Sequence, residues 1–291
     1  MAAAFDLARP PFRIIAGQDA QAVAQDFVRC YEQLASVPDK AQVCLAAALE
    51  VAGLSRDAPL ARAGLQIARD MDAGVGAGRA NAYHNTQHFC EVLLNALYLA
   101  RLAASETQEM CEILLAALVH DFHHDGATNG GITFRLERLA ADATMPYLEA
   151  ARVADAGRLR VTSLIFATEL MTGMRFARQC YLHLSAGAPR PSPEGIPEPL
   201  QRLASDAGLA REAVIVGEAD LLSSVGLTVR YGELQQQRLA EEWQQPLGAD
   251  HKLRFLDWFE EFTIGRFFSP NLRALKEAAR SDAATRSGSP G

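Results

Sequence analysis

Apolar residues recur along this chain at intervals of three and four, the spacing that lines one face of a helix. Between Asp19 and Ala35 they fall at Val23, Phe27, Tyr31 and Leu34, and the segments Gln42 to Leu54 and Leu60 to Met71 repeat the pattern. Gly74 to Gly78 is a glycine-rich breaker. A long helical pattern follows, with Val92, Leu93, Ala96, Leu97 and Ala100 on one face. Ser105 with Gln108 three residues on predicts a capping box that opens the next helix, which carries Ile113, Leu114, Ala117 and Leu118 up to His120-Asp121. Gly126, Gly130 and Gly131 then break the pattern.

Further helices are predicted over Thr133 to Ala143, Pro146 to Ala156, Leu159 to Leu170 and Arg175 to Leu184, with Pro146 in a first helical turn. Five prolines between 189 and 199 predict a loop. Helical spacing resumes over Leu200 to Asp220, Tyr231 to Trp243, His251 to Phe268 and Leu272 to Ala279. The aromatic stripe Trp258, Phe259, Phe262, Phe267 and Phe268 suits a core face. No stretch alternates with a period of two, and no internal repeat is present. The expectation is an all-α, compact multi-helix bundle. Residues 1–77 form an N-terminal helical layer packed on a core unit of residues 78–280, and the small, polar stretch 281–291 is a disordered tail.

Composition narrows the function classes. The net charge is −7, lysine stands only at positions 40, 252 and 276, and arginine is scattered, so there is no basic face for a nucleic acid. The five cysteines are odd in number and widely spaced, which argues against a disulfide framework or a zinc knuckle. No uncharged apolar run reaches the roughly 18 residues of a membrane span, and the first residues do not read as a signal peptide. The expected location is the cytoplasm, and the sequence leaves the oligomeric state open.

The candidate chemistry lies between Tyr83 and Asn129, where five of the seven histidines stand. His84 and His88 are four apart, so on a helix they share a face; either can be a metal ligand, or one a ligand and the other an acid or base. His120-Asp121 ends a very apolar helix, and an imidazole beside a carboxylate suits Zn, Mn, Fe or Mg. A helical continuation would bring His124 near the same point. A metal held there would make hydroxide available near neutral pH, and an unmetallated histidine could act as an acid or base. His123, His183 and His251 are expected at the surface.

Tyr83-His84-Asn85-x-x-His88, followed by His120-Asp121-x-x-His124-x-Gly126-x-x-Asn129, resembles the metal-binding signature of class I cyclic nucleotide phosphodiesterases, within the HD phosphohydrolase superfamily. Ala219-Asp220-Leu221 is similar to a late element of that signature, and Ala167-Thr168-Glu169 to an Ala-Thr-Asp element with Glu in place of Asp. The resemblance implies an HD/PDEase-like bundle with a two-metal site that holds divalent metals, zinc plus magnesium or manganese, with iron as the alternative. It implies that His88, His120, Asp121 and Asp220 hold the first metal and that Asp121 bridges to the second. It implies His84 as general acid, His124 and Glu149 as outer partners of metal-bound water, and Asn85, Gly126 and Asn129 as residues that shape the turns. For the substrate, a small-molecule phosphoester, it implies Tyr83 facing the pocket and Phe255 stacking on a base. The family's base-holding glutamine is Lys252 here, and a nearby glycine is Arg254, so a second phosphate or a carboxylate on the substrate is an alternative. Rival readings are a phosphatase for nucleotides or small phosphomonoesters, a diiron oxygenase on the same ligands, and a catalytically silent binding domain.

Overall fold

A computed structural model describes residues 18–76, 81–262 and 269–287 of the chain. Among them there is no strand, and thirteen α-helices account for the architecture. In chain order these are α1 (Ala20–Ala35), α2 (Lys40–Val51), α3 (Pro59–Asp72), α4 (Thr86–Leu102), α5 (Thr107–Val119), α6 (Arg135–Ala150) and α7 (Asp155–Phe166). They continue with α8 (Gly173–Ala186), the single turn α9 (Glu198–Gln201), α10 (Ala207–Val225), α11 (Val229–Glu242), α12 (Ala249–Phe262) and α13 (Ser269–Ser287).

The centre is made by α4, α5 and α10, which pack against one another and are buried on most sides. Every residue of α5 from Met110 to Val119 is buried. Such a helix cannot be amphipathic, which is why it ends in an unbroken apolar run from Ile113 to Val119, with the buried Glu112 ahead of it paired to Arg160. Around this centre α2 covers α4, α3 covers α5 and α6, α7 covers α5, and α8 covers α10. The apolar faces of α1 to α3 belong to the same core cluster as those of α4 and α5. Burying each large aliphatic or aromatic side chain there stabilises the fold by about 1.5–3 kcal/mol. A second cluster joins α12 and α13 to Leu221, Val225 and Met174, and it includes Phe259 with Trp258 packed at its edge. The side chains of Phe262, Phe267 and Phe268 lie outside the described residues.

Several predicted boundaries move, each for a local reason. The capping box sits one residue later than expected: the Glu109 carboxylate accepts the Glu106 N–H at 2.9 Å. Ser105 is unavailable because its own N–H closes α4 on the carbonyl of Ala100 (3.0 Å), behind Ala104 in the left-handed region. The two helices expected around Pro146 are one, α6, with the proline inside it. Pro146 and Asp142, whose carbonyl loses its helical partner, are both exposed, so water can satisfy that carbonyl. The segment from Leu200 to Asp220 is a short turn followed by α10, which Asp206 caps by accepting the Leu209 N–H. Helix α13 continues to Ser287, through most of the stretch read as a disordered tail.

One glycine ties the chain before the described gap to the end of α5. Gly76 has φ +63°, and a Cβ on it would lie 2.2 Å from Cε2 of the buried Phe122. Its carbonyl also accepts the His123 N–H at 2.7 Å. Gly76→Ala is therefore expected to destabilise the protein by about 2–4 kcal/mol, from backbone strain plus overpacking. Urea or thermal denaturation measures this, and a change below about 0.5 kcal/mol would contradict the packing described.

Candidate metal centre

The two polar bursts are placed by capping chemistry. Asn85 is the N-cap of α4, accepting from the backbone N–H groups of Gln87 (2.9 Å) and His88 (3.4 Å). Its own amide donates to the carbonyls of Asn81 and Ala82. His88 thus sits in the first turn of α4, whereas His84 precedes the cap; the two do not share a helical face as the spacing suggested. At the other end α5 stops at His120 and the chain turns, with His123 at φ +68° and the His124 N–H donating to the Asp121 carbonyl at 2.9 Å. His124 therefore comes to the site by a turn and not by a helical continuation. The Asn81 amide donates to the carbonyls of both His84 and His124, at 3.1 Å each, and so joins the bursts. Gly126, at φ +78°, leaves room for it: a Cβ there would lie 2.8 Å from Asn81 Oδ1.

Four ligand-type groups converge from α4, α5 and α10. His120 Nε2 lies 3.1 Å from Asp121 Oδ2 and 3.3 Å from Asp220 Oδ1. His88 Nε2 lies 3.3 Å from Asp220 Oδ1 and 4.0 Å from Asp121 Oδ2. Donor atoms that share a metal at about 2.1 Å stand about 3.0–3.4 Å apart. The separations of His120 from Asp121 and Asp220, and of His88 from Asp220, fall in that range, with His88 to Asp121 wider. The nitrogens are also free for a metal. Both ring nitrogens of His88 and Nε2 of His120 are buried and have no hydrogen-bond partner, because these close approaches lack hydrogen-bond geometry. His120 Nδ1 donates to the Ala117 carbonyl at 2.9 Å, which leaves the Nε2 lone pair pointing at the carboxylates. Burial opposes charge on Asp121 and Asp220, yet the surrounding imidazoles outweigh it and hold both carboxyls below the usual range. The same field outweighs burial at His120 and raises its pKa. Two half-buried carboxylates this close together thus favour a cation beside them, either protons on the imidazoles or a metal in their place.

His84 stands beside this set with a different partner. Its Nδ1 lies 2.5 Å from Glu242 Oε1, at the end of α11, and its Nε2 faces Asp121 Oδ2 at 3.8 Å. The other Glu242 oxygen accepts the backbone N–H groups of Tyr83 (2.8 Å) and His84 (2.9 Å). Burial disfavours a charged His84, but Asp121 and then Glu242 outweigh it and raise its pKa. The His124 ring stacks on His84, with centroids 3.7 Å apart, and its Nδ1 accepts the Gly126 N–H at 3.0 Å. Burial lowers the His124 pKa to about 4, so this ring is neutral with its hydrogen on Nε2. His84, His124 and Glu242 also lie close enough to hold an ion. Their facing atoms are already engaged with one another or with Gly126, so this trio reads as a hydrogen-bonded support.

The remaining expected residues divide. Tyr83 packs its ring on His88 (4.5 Å between centroids) and shares a hydrogen bond with Ser224 through its hydroxyl. Asn129 caps the start of α6 through Leu136 N–H (2.9 Å) and reaches Glu137. Glu149 lies on the exposed face of α6, and no hydrogen bond or ion pair joins it to the cluster among the described residues. The buried carboxylate of that helix is Glu137, three turns earlier; burial pushes it up to about 7, and the charges of Asp121 and Glu169 add to the rise. Glu169 itself accepts from Thr172 and Gly173 N–H and so caps α8. Phe255 stacks with Trp258 at the edge of the second core, and Lys252 is buried on the same helix. Among the described residues neither makes a hydrogen bond, ion pair or ring contact with the histidine cluster. Glu242 and Glu137 were missed because a lone glutamate on a helix gives no local signal.

This all-helical architecture is the fold of phosphodiesterase domains. The chain is similar to the phosphodiesterase domain of the RhoPDE fusion protein from the choanoflagellate Salpingoeca rosetta, over 96% of this chain and 95% of that one, with a TM-score of 0.55 and 18% identity. It is also similar to a second structure, the phosphodiesterase domain of Salpingoeca rosetta rhodopsin phosphodiesterase, over 94% and 90% of the chains, with a TM-score of 0.59 and 18% identity. No protein-family model and no curated protein matches the chain. No helix among the described residues is long and apolar enough to cross a membrane.

Divalent metal should raise the melting temperature of the wild type, because it binds the folded state. Asp121→Ala is expected to remove both that response and the bound metal found by elemental analysis. A variant that keeps wild-type metal content would exclude Asp121 as a ligand.

Proposed function

We propose that this chain is a metal-dependent phosphohydrolase of the HD superfamily that cleaves a phosphodiester, with a cyclic nucleotide as the first substrate to test. The observation that carries the reading is the pairing of two orphaned imidazoles with two carboxylates, beside a histidine held through its other nitrogen. His88, His120, Asp121 and Asp220 would hold zinc, with Asp121 also facing a second ion, magnesium or manganese. Bound there, the metals would polarise the phosphoryl group and make water a nucleophile near neutral pH.

The protein's own groups supply the proton chemistry. Glu242 accepts from His84 Nδ1, which fixes the ring and stabilises its protonated form. His84 Nε2 is thereby the atom that carries a proton toward the ligand set, and it protonates the leaving oxygen. His124, neutral and stacked behind it, directs its Nε2 hydrogen as a donor rather than competing for the proton. Hydrolysis of a nucleotide or small phosphomonoester is the second reading, and Lys252 favours it: a buried cation stands where the resemblance puts a base-binding glutamine.

A panel of cyclic AMP, cyclic GMP, an aryl phosphodiester and nucleoside monophosphates, with manganese and magnesium added, tests the substrate class. Turnover of monophosphates with none of any diester would overturn the phosphodiesterase reading, and two irons with an oxygen-dependent optical change would overturn hydrolysis. His84→Asn is expected to keep the metals and lower turnover about 10²–10⁴-fold. Loss of metal in that variant would count against the acid role.

A further inference from the structure

Helix α4 carries a polar stripe through an otherwise apolar interior. His88, Glu91 and Asn95 are spaced three and four apart, so they share one face, and all three are buried, the last two completely. A carboxylate and an amide sealed in a core are costly unless every polar atom has a partner. Here the partners come from particular places.

Glu91 meets only donors. Its Oε1 accepts from the Tyr231 hydroxyl (2.5 Å) and the Gln87 amide (3.0 Å), and its Oε2 accepts from the Gln235 amide (2.6 Å). Arg238 Nη1 stands 3.9 Å away. Tyr231, Gln235, Arg238 and Glu242 follow one another on α11 at steps of four, three and four, so they lie on one face of that helix. The helix is thus laid against α4 by Glu91 at one end and holds His84 with Glu242 at the other. Asn95 does the equivalent for α10. Its amide donates to the Ala219 carbonyl (2.9 Å), immediately before Asp220, and to Ser223 Oγ (3.2 Å). Its oxygen accepts from the Tyr31 hydroxyl, which also reaches the Glu91 carbonyl.

We infer that Glu91 and Asn95 are positioning residues with separate roles: Glu91 sets α11, and through Glu242 the orientation of His84, while Asn95 sets α10 and the reach of Asp220. This rests on the reading of the cluster as a metal-dependent phosphohydrolase. Glu91 acts on Glu242 along about two to three turns of α11, and Asn95 acts on Asp220 through the Ala219 carbonyl and Ser223; both are sealed in the core, so neither touches substrate.

The test compares Glu91→Gln, Tyr231→Phe and Asn95→Asp in the full chain. Glu91→Gln keeps the volume but turns a donor toward donors. It is expected to lower kcat about tenfold with KM and metal content unchanged, and Tyr231→Phe to do the same more weakly. In a Glu242→Gln background the Glu91→Gln effect should shrink below about twofold, since both act through one ring. Asn95→Asp, or Ser223→Ala if the first does not fold, should instead weaken metal affinity about 10–100-fold. Equal loss from Glu91→Gln in both backgrounds, or metal loss in Glu91→Gln, overturns the assignment. A readout independent of turnover is the His84 Nδ1 proton in histidine-labelled NMR: its hydrogen bond to Glu242 should weaken in Glu91→Gln and Tyr231→Phe but persist in Ser223→Ala. If the wild type hydrolyses no phosphoester, the functional reading fails, and this signal still decides whether Glu91 orients His84; an unchanged signal in both α11 variants overturns the inference.

Discussion

Two carboxylates and three imidazoles are largely withdrawn from water around the meeting point of α4, α5 and α10, and the surrounding structure answers to that constraint. Asp121 and Asp220 cannot remain charged in such a place without a cation within a few ångströms. The unpartnered nitrogens of His88 and His120 make the same demand from the other side. A hydrophobic core alone would expel such a set. Its surroundings are held from behind: His120 by the Ala117 carbonyl, His84 by Glu242, and the turn carrying His124 by Asn81.

The same constraint explains why three central helices look so different. Helix α5 is apolar from Ile113 to Val119 and hands over to His120 and Asp121 only where it ends. Helix α4 carries polar groups along one face, because it must seat two neighbours whose far residues complete the site. Helix α10 is apolar around Asp220 and gives up a backbone carbonyl, that of Ala219, as the anchoring point. Helix α11, more polar than the others and peripheral, is held by Glu91 as well as by the apolar packing of Tyr231.

The acid function and the metal function are separated by this arrangement. His84 and His88 are four residues apart, yet a helix cap lies between them. The cap turns one ring toward Glu242 and leaves the other facing Asp220. A continuous helix through both would have placed them as neighbours on one face, with nothing to distinguish their chemistry.

The helices, their apolar faces and the two histidine bursts were legible along the chain, because helical period and capping are properties of residues a few positions apart. His84, His88, His120, Asp121 and His124 announced themselves by crowding, and Asp220 only through a resemblance. Glu91, Asn95, Glu137 and Glu242 were not legible: each looks like an ordinary helix-surface residue, and its burial exists only once distant helices pack around it. Glu149 erred the other way, since counting residues cannot say which side of α6 meets the core. Pro146 and Ser105 show the same limit at short range, where a proline tolerated by water and an N–H already used by the preceding helix shifted the expected boundaries. Local pattern determined which residues form helices and which stretch holds the chemistry. Tertiary packing alone decided which carboxylates lose their water, and a charge that has lost its water must be paired.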